Sequence, residues 1–167
     1  QPIKNQQLLI KAFAKVVEEY PNSKMIWMGR NDSDITLYKS LIPDMVKQFK
    51  YIGPVAHVRD YLAQADAMCL SSKMEGMPMT IIEAFSVGCP ALCTPVGGIV
   101  NMINEGENGM LSHGLSIDDY YLMLKKFYCL SPKERTHMKL MASKSFAKYS
   151  IKNTALGYLK IYNKSKK

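Results

Sequence analysis

The chain has 167 residues, 47% of them hydrophobic and 22% charged, with a formal net charge of +8. This is a globular balance that excludes global disorder, and the length is enough for one domain with its own core. No apolar run approaches the roughly 18–20 residues needed to cross a bilayer, and the four cysteines (Cys69, Cys89, Cys93, Cys129) are too few for a disulfide scaffold and lack the paired C-x-x-C spacing of a zinc site.

Leu8, Leu9, Ala12, Phe13, Val16, Val17 and Tyr20 make the apolar stripe of an amphipathic helix, which Pro21-Asn22 ends. Met25-Ile26-Trp27-Met28, closed by Gly29, reads as a short buried strand. Tyr38, Leu41, Ile42, Met45, Val46 and Phe49 form a second helical stripe, Tyr51-Ile52-Gly53 a short strand, and Val58, Tyr61, Leu62 and Ala65 a short helix. Ala67-Met68-Cys69-Leu70 is another apolar strand. After a loop at 71–77, Pro78 suits the first position of a helix running to about Val87, and Gly88 is placed to end that helix in a left-handed conformation. Ala91-Leu92-Cys93 reads as a strand, Gly97-Gly98 opens a short helix, and Asn108-Gly109 turns into Met110-Leu111. Ser116 with Asp119, and Ser131-Pro132-Lys133-Glu134, are helix-capping sequences. The first leads into a stripe of Ile117, Tyr120, Tyr121, Leu124 and Phe127. A last helix is expected from about 153 to 163.

Strand and helix alternate through residue 112, and the strands are apolar without polar alternation. The pattern predicts an α/β fold, a doubly wound parallel sheet with a helical C-terminal tail: one domain over 1–167, its α/β core at 1–112 and its tail at 113–167. Ligands of such sheets sit beyond the carboxyl ends of the strands, which singles out loops 29–33, 53–57, 71–78 and 94–98. Three of the cysteines lie in or beside apolar stretches and are expected to be buried, reduced thiols of an intracellular protein. The chain opens at Gln1, in what reads as the middle of a βα connection, so a piece of a longer protein is expected.

The charge belongs to one end. Residues 1–130 carry 12 Lys/Arg and 13 Asp/Glu, whereas 131–167 carry 10 Lys/Arg and one acid, Glu134. Such a basic tail is either a solvated Lys-rich helical face or a contact for an anionic partner such as a membrane surface. No zinc-finger or RNP pattern is present, and no nucleic-acid partner is expected.

The loop at 71–78 carries the most chemistry. It reads Ser71-Ser72-Lys73-Met74-Glu75-Gly76-Met77-Pro78 and runs into a helix with Met79, Thr80 and Glu83. Gly76 lets backbone approach a ligand, and a helix N-terminus offers unpaired N–H groups and a partial positive charge suited to phosphate. Pro78 has no N–H, but those of Met77, Met79 and Thr80 remain. Glu83 lies about 7–8 Å along the axis from Pro78 at ~1.5 Å per residue, the distance from a diphosphate to its ribose, whose diol a carboxylate can hold. On spacing alone, two glutamates eight positions apart are more often plain surface acids.

The surroundings add to this. Lys4-Asn5-Gln6 with Leu9-Ile10 and Ala12-Phe13, Ile52-Gly53, Ser72-x-x-Glu75-Gly76-x-Pro78-x-x-x-x-Glu83-Ala84, Gly88-x-Pro90, Thr94-x-Val96-Gly97-Gly98 and Asn108-Gly109 follow one another in order. Together they resemble the C-terminal, nucleotide-sugar-binding half of a GT-B glycosyltransferase of the large retaining glycosyltransferase family 4, with its Rossmann-like sheet. The resemblance implies that Glu83 holds the ribose and that Glu75 contacts the donor sugar as a candidate catalytic group. It places Gly76, Met77, Met79 and Thr80 at backbone positions near sugar and diphosphate, and Lys4 against the diphosphate. It further implies a UDP- or GDP-sugar donor and hexose transfer with retention onto a saccharide or lipid-linked acceptor bound by a separate N-terminal domain. That domain, and a first strand with its arginine, are absent here. The isolated chain would then bind nucleotide weakly and catalyse nothing, and a cytoplasmic location, peripheral at the inner face of the membrane, is expected. Asn101 stands where the family often has a glutamate, so no carboxylate role is carried over there.

His57, His113 and His137 share no ligand spacing, and no metal or other cofactor is expected to assist transfer. His57 alone lies on a ligand-side loop. With the middle strand of a 3-2-1-4-5-6 order absent, the sheet should divide into two halves, with residues 25–28 and 67–70 unpaired to each other. Two other functions remain open at this point: a sugar-nucleotide 2-epimerase on the same scaffold, and a non-catalytic domain that binds an anionic surface through its basic tail.

Overall fold

The computed structural model describes residues 3–30 and 47–164. In chain order they form α1 (Gln6–Glu19), β1 (Met25–Met28), β2 (Phe49–Gly53), α2 (Val58–Gln64), β3 (Met68–Leu70), α3 (Met79–Ser86), β4 (Ala91–Cys93), a 3-10 turn (Gly97–Asn101), β5 (Gly109–Leu111), α4 (Ile117–Tyr128), α5 (Pro132–Phe146), a second 3-10 turn (Ala147–Tyr149) and α6 (Ile151–Lys164).

β3, β4 and β5 lack polar alternation because both of their faces are covered. β4 lies between β3 and β5, all parallel, with Cys69 opposite Leu92 and Leu92 opposite Met110. Leu92 and Met110 point into a core with α1 and α4 (Phe13, Val16, Tyr120, Leu124). Ala91 and Cys93 point the other way, into a core with Ile81, Phe85, Ile99 and Ala142. The result is three layers: α1 packed on α4, the strands, and α3 packed on α5. The helices after residue 112 therefore furnish parts of both outer layers. Tyr120 of α4 is fully buried and donates its phenol hydrogen to the Leu92 carbonyl at 2.7 Å.

Local signals account for the ends of these elements. Ser116 with Asp119 and Ser131 with Glu134 close reciprocal capping boxes on α4 and α5. Gly88 ends α3 at φ +71°, where a Cβ would also meet the Lys139 carbonyl of α5 at 3.2 Å. Burial pushes the Cys69 thiol up to about 11, Cys89 up to about 12 and Cys93 well above its ordinary value, so all three stay protonated at neutral pH. Cys129 is exposed, and all four cysteines are free.

Among the described residues the sheet is in two pieces. β1 pairs in parallel with β2 alone, and β3 joins β4 and β5; β1 and β3 do not pair, the division the strand order anticipates. Several expectations need correction. Phe49 opens β2 and is not helical; the rest of that stripe (Tyr38, Leu41, Ile42, Met45, Val46) lies outside the described residues. Pro78 is the N-cap of α3, at φ −70° and ψ 115°, so the helix starts one residue later, at Met79. β1 is not buried throughout: Trp27 packs on the α1 core, but Ile26, on the opposite face, is 48% exposed. The last helix starts at Ile151.

Replacing Tyr120 by Phe removes the donor to the Leu92 carbonyl while keeping the ring. The expected cost is about 1–2 kcal/mol of unfolding free energy, read as a lower urea midpoint at constant m-value.

Candidate functional site

The site begins with how residues 3–5 are tied down. The Lys73 amide donates to the Ile3 carbonyl at 2.8 Å. The Ser71 hydroxyl lies 3.0 Å from the Lys4 carbonyl and 3.1 Å from that of Asn5. Asn5 then turns the chain into α1 at φ 49°, ψ 42°, the one non-glycine residue at positive φ among those described. Asparagine tolerates that left-handed conformation better than other side chains except glycine. The turn delivers Lys4 to loop 71–76, where its Nζ sits 2.6 Å from Glu75 Oε1. A cation next to a helix N-terminus is disfavoured by the helix dipole; the Glu75 carboxylate offsets this.

The Glu75–Gly76 backbone is fixed from the other side. The Gly98 amide donates to the Glu75 carbonyl at 3.1 Å. A Cβ on Gly97 would stand 1.8 Å from the Glu75 carbonyl oxygen, and one on Gly98 would stand 1.8 Å from that of Gly76. Backbone meets backbone here, and only glycine leaves the room. The Gly97-Gly98 pair is thus a packing requirement of the loop that carries Glu75.

Next to this loop, α3 presents its N-terminus. No side chain caps it, and the amides of Met79 and Thr80 have no hydrogen-bond partner among the described residues. Met77 and Met79 are 64% and 62% exposed, and Thr80 is exposed as well. Glu83 follows Met79 by four positions and Thr80 by three, so the three share one helix face. It lines a cleft of about 480 Å³ between α2 and α3, with His57, Arg59, Asp60 and Val87 on its walls. Glu83 is half-buried, and its carboxylate has no ion-pair or hydrogen-bond partner among the described residues.

The structure therefore pairs Lys4 with Glu75, with Gly76 next along the loop, leaves the amides of Met79 and Thr80 a few residues on without a partner among the described residues, and puts Glu83 in a cleft of its own. Glu75 does not line that cleft. Sequence reasoning quoted Ser72 and Thr94 within the family motifs but gave neither a role: Ser72 donates to Glu75 at 2.7 Å, and Thr94 donates to the Ser72 carbonyl at 2.6 Å. Their sign in the sequence is a run of small hydroxyl residues at the carboxyl ends of two adjacent strands. It also gave Arg59 no role. Among the described residues no group of three or more His, Cys, Asp or Glu side chains could hold a metal ion. The expectation of transfer without a metal passes over one Asp-x-Asp pair in the sequence, Asp32-Ser33-Asp34, which lies outside the described residues.

A family model described as glycosyl transferases group 1 matches residues 1–126. The chain belongs to this family. A curated relative, the N-acetyl-alpha-D-glucosaminyl L-malate synthase of Bacillus anthracis, is 34% identical over 113 residues, covering 65% of this chain and 29% of its own length. The C-terminal domain of a glycosyl transferase group 1 family protein from Francisella tularensis superposes with a TM-score of 0.77 at 22% identity, over 90% of this chain and 82% of that one. An Anabaena protein crystallised with UDP and glucose superposes with a TM-score of 0.79 at 19% identity, over 89% of this chain and 41% of that one. These likenesses establish the fold as the Rossmann-like C-terminal half of a GT-B glycosyltransferase. The chain spans less than a third of the length of the Bacillus relative.

In this group 1 domain, Gly98→Ala drives a methyl into the Gly76 carbonyl. The expected outcome is a displaced Glu75–Gly76 turn, seen as shifted amide resonances for 72–77, with the α4 and α5 resonances unchanged. Asn5→Gly should be tolerated, and Asn5→Val should lower stability by about 1–2 kcal/mol in chemical denaturation.

Proposed function

We propose that this chain is the donor-binding half of a retaining family 4 glycosyltransferase. It binds a UDP- or GDP-sugar, and in the full-length protein a hexose is transferred with retention onto a saccharide or lipid-linked acceptor. The observation that carries this reading is the uncapped N-terminus of α3, preceded by a loop whose Glu75 pairs with the Lys4 ammonium and followed one turn on by Glu83, half-buried and without a partner among the described residues. The Anabaena protein crystallised with UDP and glucose shares this fold.

In this reading the donor diphosphate lies against the amides of Met79 and Thr80, where backbone dipoles favour negative charge. The ammonium of Lys4, a point charge on a flexible stem, turns from Glu75 to the phosphate oxygens. Glu83 accepts two hydrogen bonds from the ribose diol, and the base enters the cleft beside His57. Glu75 faces the sugar. When the bond from sugar to diphosphate breaks, negative charge grows on the leaving phosphate, and the amides and Lys4 are already in place to stabilise it. No metal takes part.

The acceptor site and a further strand between β1 and β3 belong, in this proposal, to parts of the protein beyond these residues, and the isolated chain does not turn over. The protein works in the cytoplasm. No helix among the described residues is long and apolar enough to cross a membrane. The Lys-rich α6, with Ile151, Tyr158, Leu159 and Tyr162 exposed, supplies a peripheral contact with the anionic inner face.

Isothermal titration with UDP and GDP tests the ribose contact. Glu83→Ala should weaken the nucleotide that binds by about 1–3 kcal/mol; unchanged affinity would remove Glu83 from the site and with it the central claim.

A further inference from the structure

Two donors converge on one oxygen of Glu75. Lys4 Nζ lies 2.6 Å from Oε1, and Ser72 Oγ lies 2.7 Å from the same atom. They are anchored very differently. The Lys4 side chain is 41% exposed and ends a four-carbon stem. Ser72 is fully buried, and its own carbonyl is held at 2.6 Å by the hydroxyl of Thr94, which is also fully buried. Thr94 is fixed in turn, its amide donating to the Leu70 carbonyl at 3.0 Å. The Ser72 hydroxyl is thus part of the rigid end of the sheet, whereas the Lys4 ammonium is on loan to Glu75.

We propose that Ser72 is the positioning residue for Glu75, keeping the carboxylate in place when the donor's diphosphate draws the Lys4 ammonium away. This rests on the donor-site reading above and adds the order in which its charges change partner. A diphosphate offers more negative charge than one carboxylate, so Lys4 follows it. Glu75 then loses one of its two donors, and its side chain is only 11% exposed. With no donor left, a carboxylate in that setting swings towards water. The Ser72 hydroxyl stays on Oε1, so Oε2, which has no partner among the described residues, keeps its aim at the sugar. Ser72 touches no ligand itself.

The test is isothermal titration of the full-length protein with UDP, UDP-glucose, GDP and GDP-mannose, read as the affinity ratio of each nucleotide sugar to its parent diphosphate. Ser72→Ala should lower that ratio about tenfold and leave the diphosphate itself within about twofold. Ser72→Thr keeps the hydroxyl and should restore the ratio. If threonine lowers the melting temperature, Ser72→Cys, a weak donor of similar size, should fall between serine and alanine. Glu75→Gln should lower the ratio by itself, and adding Ser72→Ala to it should change nothing more. Equal losses for diphosphate and nucleotide sugar, a ratio that does not move, or additive losses in the double variant would overturn the role of Ser72 and leave the donor site standing. A wild-type protein that binds none of the four ligands would overturn the donor-site reading and this inference together.

Discussion

The close approach of two backbones is the constraint on which the ligand face depends. Gly97 and Gly98 lie so near Glu75 and Gly76 that no side chain fits between them. The loop bearing Glu75 is held on that side by main chain, on another by the Thr94 hydroxyl, and on a third by the tie between Ile3 and Lys73. A βα loop is ordinarily the mobile part of such a sheet. Here three neighbouring segments hold it, so a carboxylate and a row of amides keep fixed relative positions without a ligand.

The electrostatics follow from that frame. Lys4 keeps 41% of its side chain exposed, so its pair with the nearly buried Glu75 contributes modestly to stability. Its interest lies in what it keeps ready. The pair parks a cation beside amides that already favour an anion, and it occupies a carboxylate that would otherwise lie close to the same anion. Glu83 is arranged oppositely: half-buried and without a partner among the described residues, it is a carboxylate with acceptor capacity to spare, the property the proposed diol contact would use.

Much of this was legible in the sequence, and for local reasons. The stripe of α1, the two capping boxes and the end of α3 at Gly88 depend on neighbours within a few positions and appear largely as read, although Ile10 is buried too and Tyr20 falls on the C-cap of α1. So did the two-piece sheet, because it follows from strand order. Tertiary contacts were harder. Phe49 fits a helical stripe equally well, and only its pairing with Met25 makes it strand. Ile26 reads as core because β1 is apolar throughout, yet one face of that strand has a partner and the other is half open. The Lys-Asn sequence pointed to Lys4, but the reason for Asn5, a left-handed turn that aims Lys4, needs coordinates. Ser72 and Thr94 were visible in the motifs, but their roles were not, because buried hydroxyl contacts 3 and 22 positions apart leave no periodic trace.

The division of the sheet has a consequence for how the molecule holds together. The cleft beside Glu83 is walled by residues that follow β2 on one side and by a helix that follows β3 on the other, so it lies across the seam between the two ladders. No strand-to-strand bond crosses that seam among the described residues; side chains of both ladders meet those of α1 and α4 in one core there. In this chain taken by itself, a ligand lodged there would touch both hydrogen-bonded units at once, so occupancy would oppose their separation during unfolding.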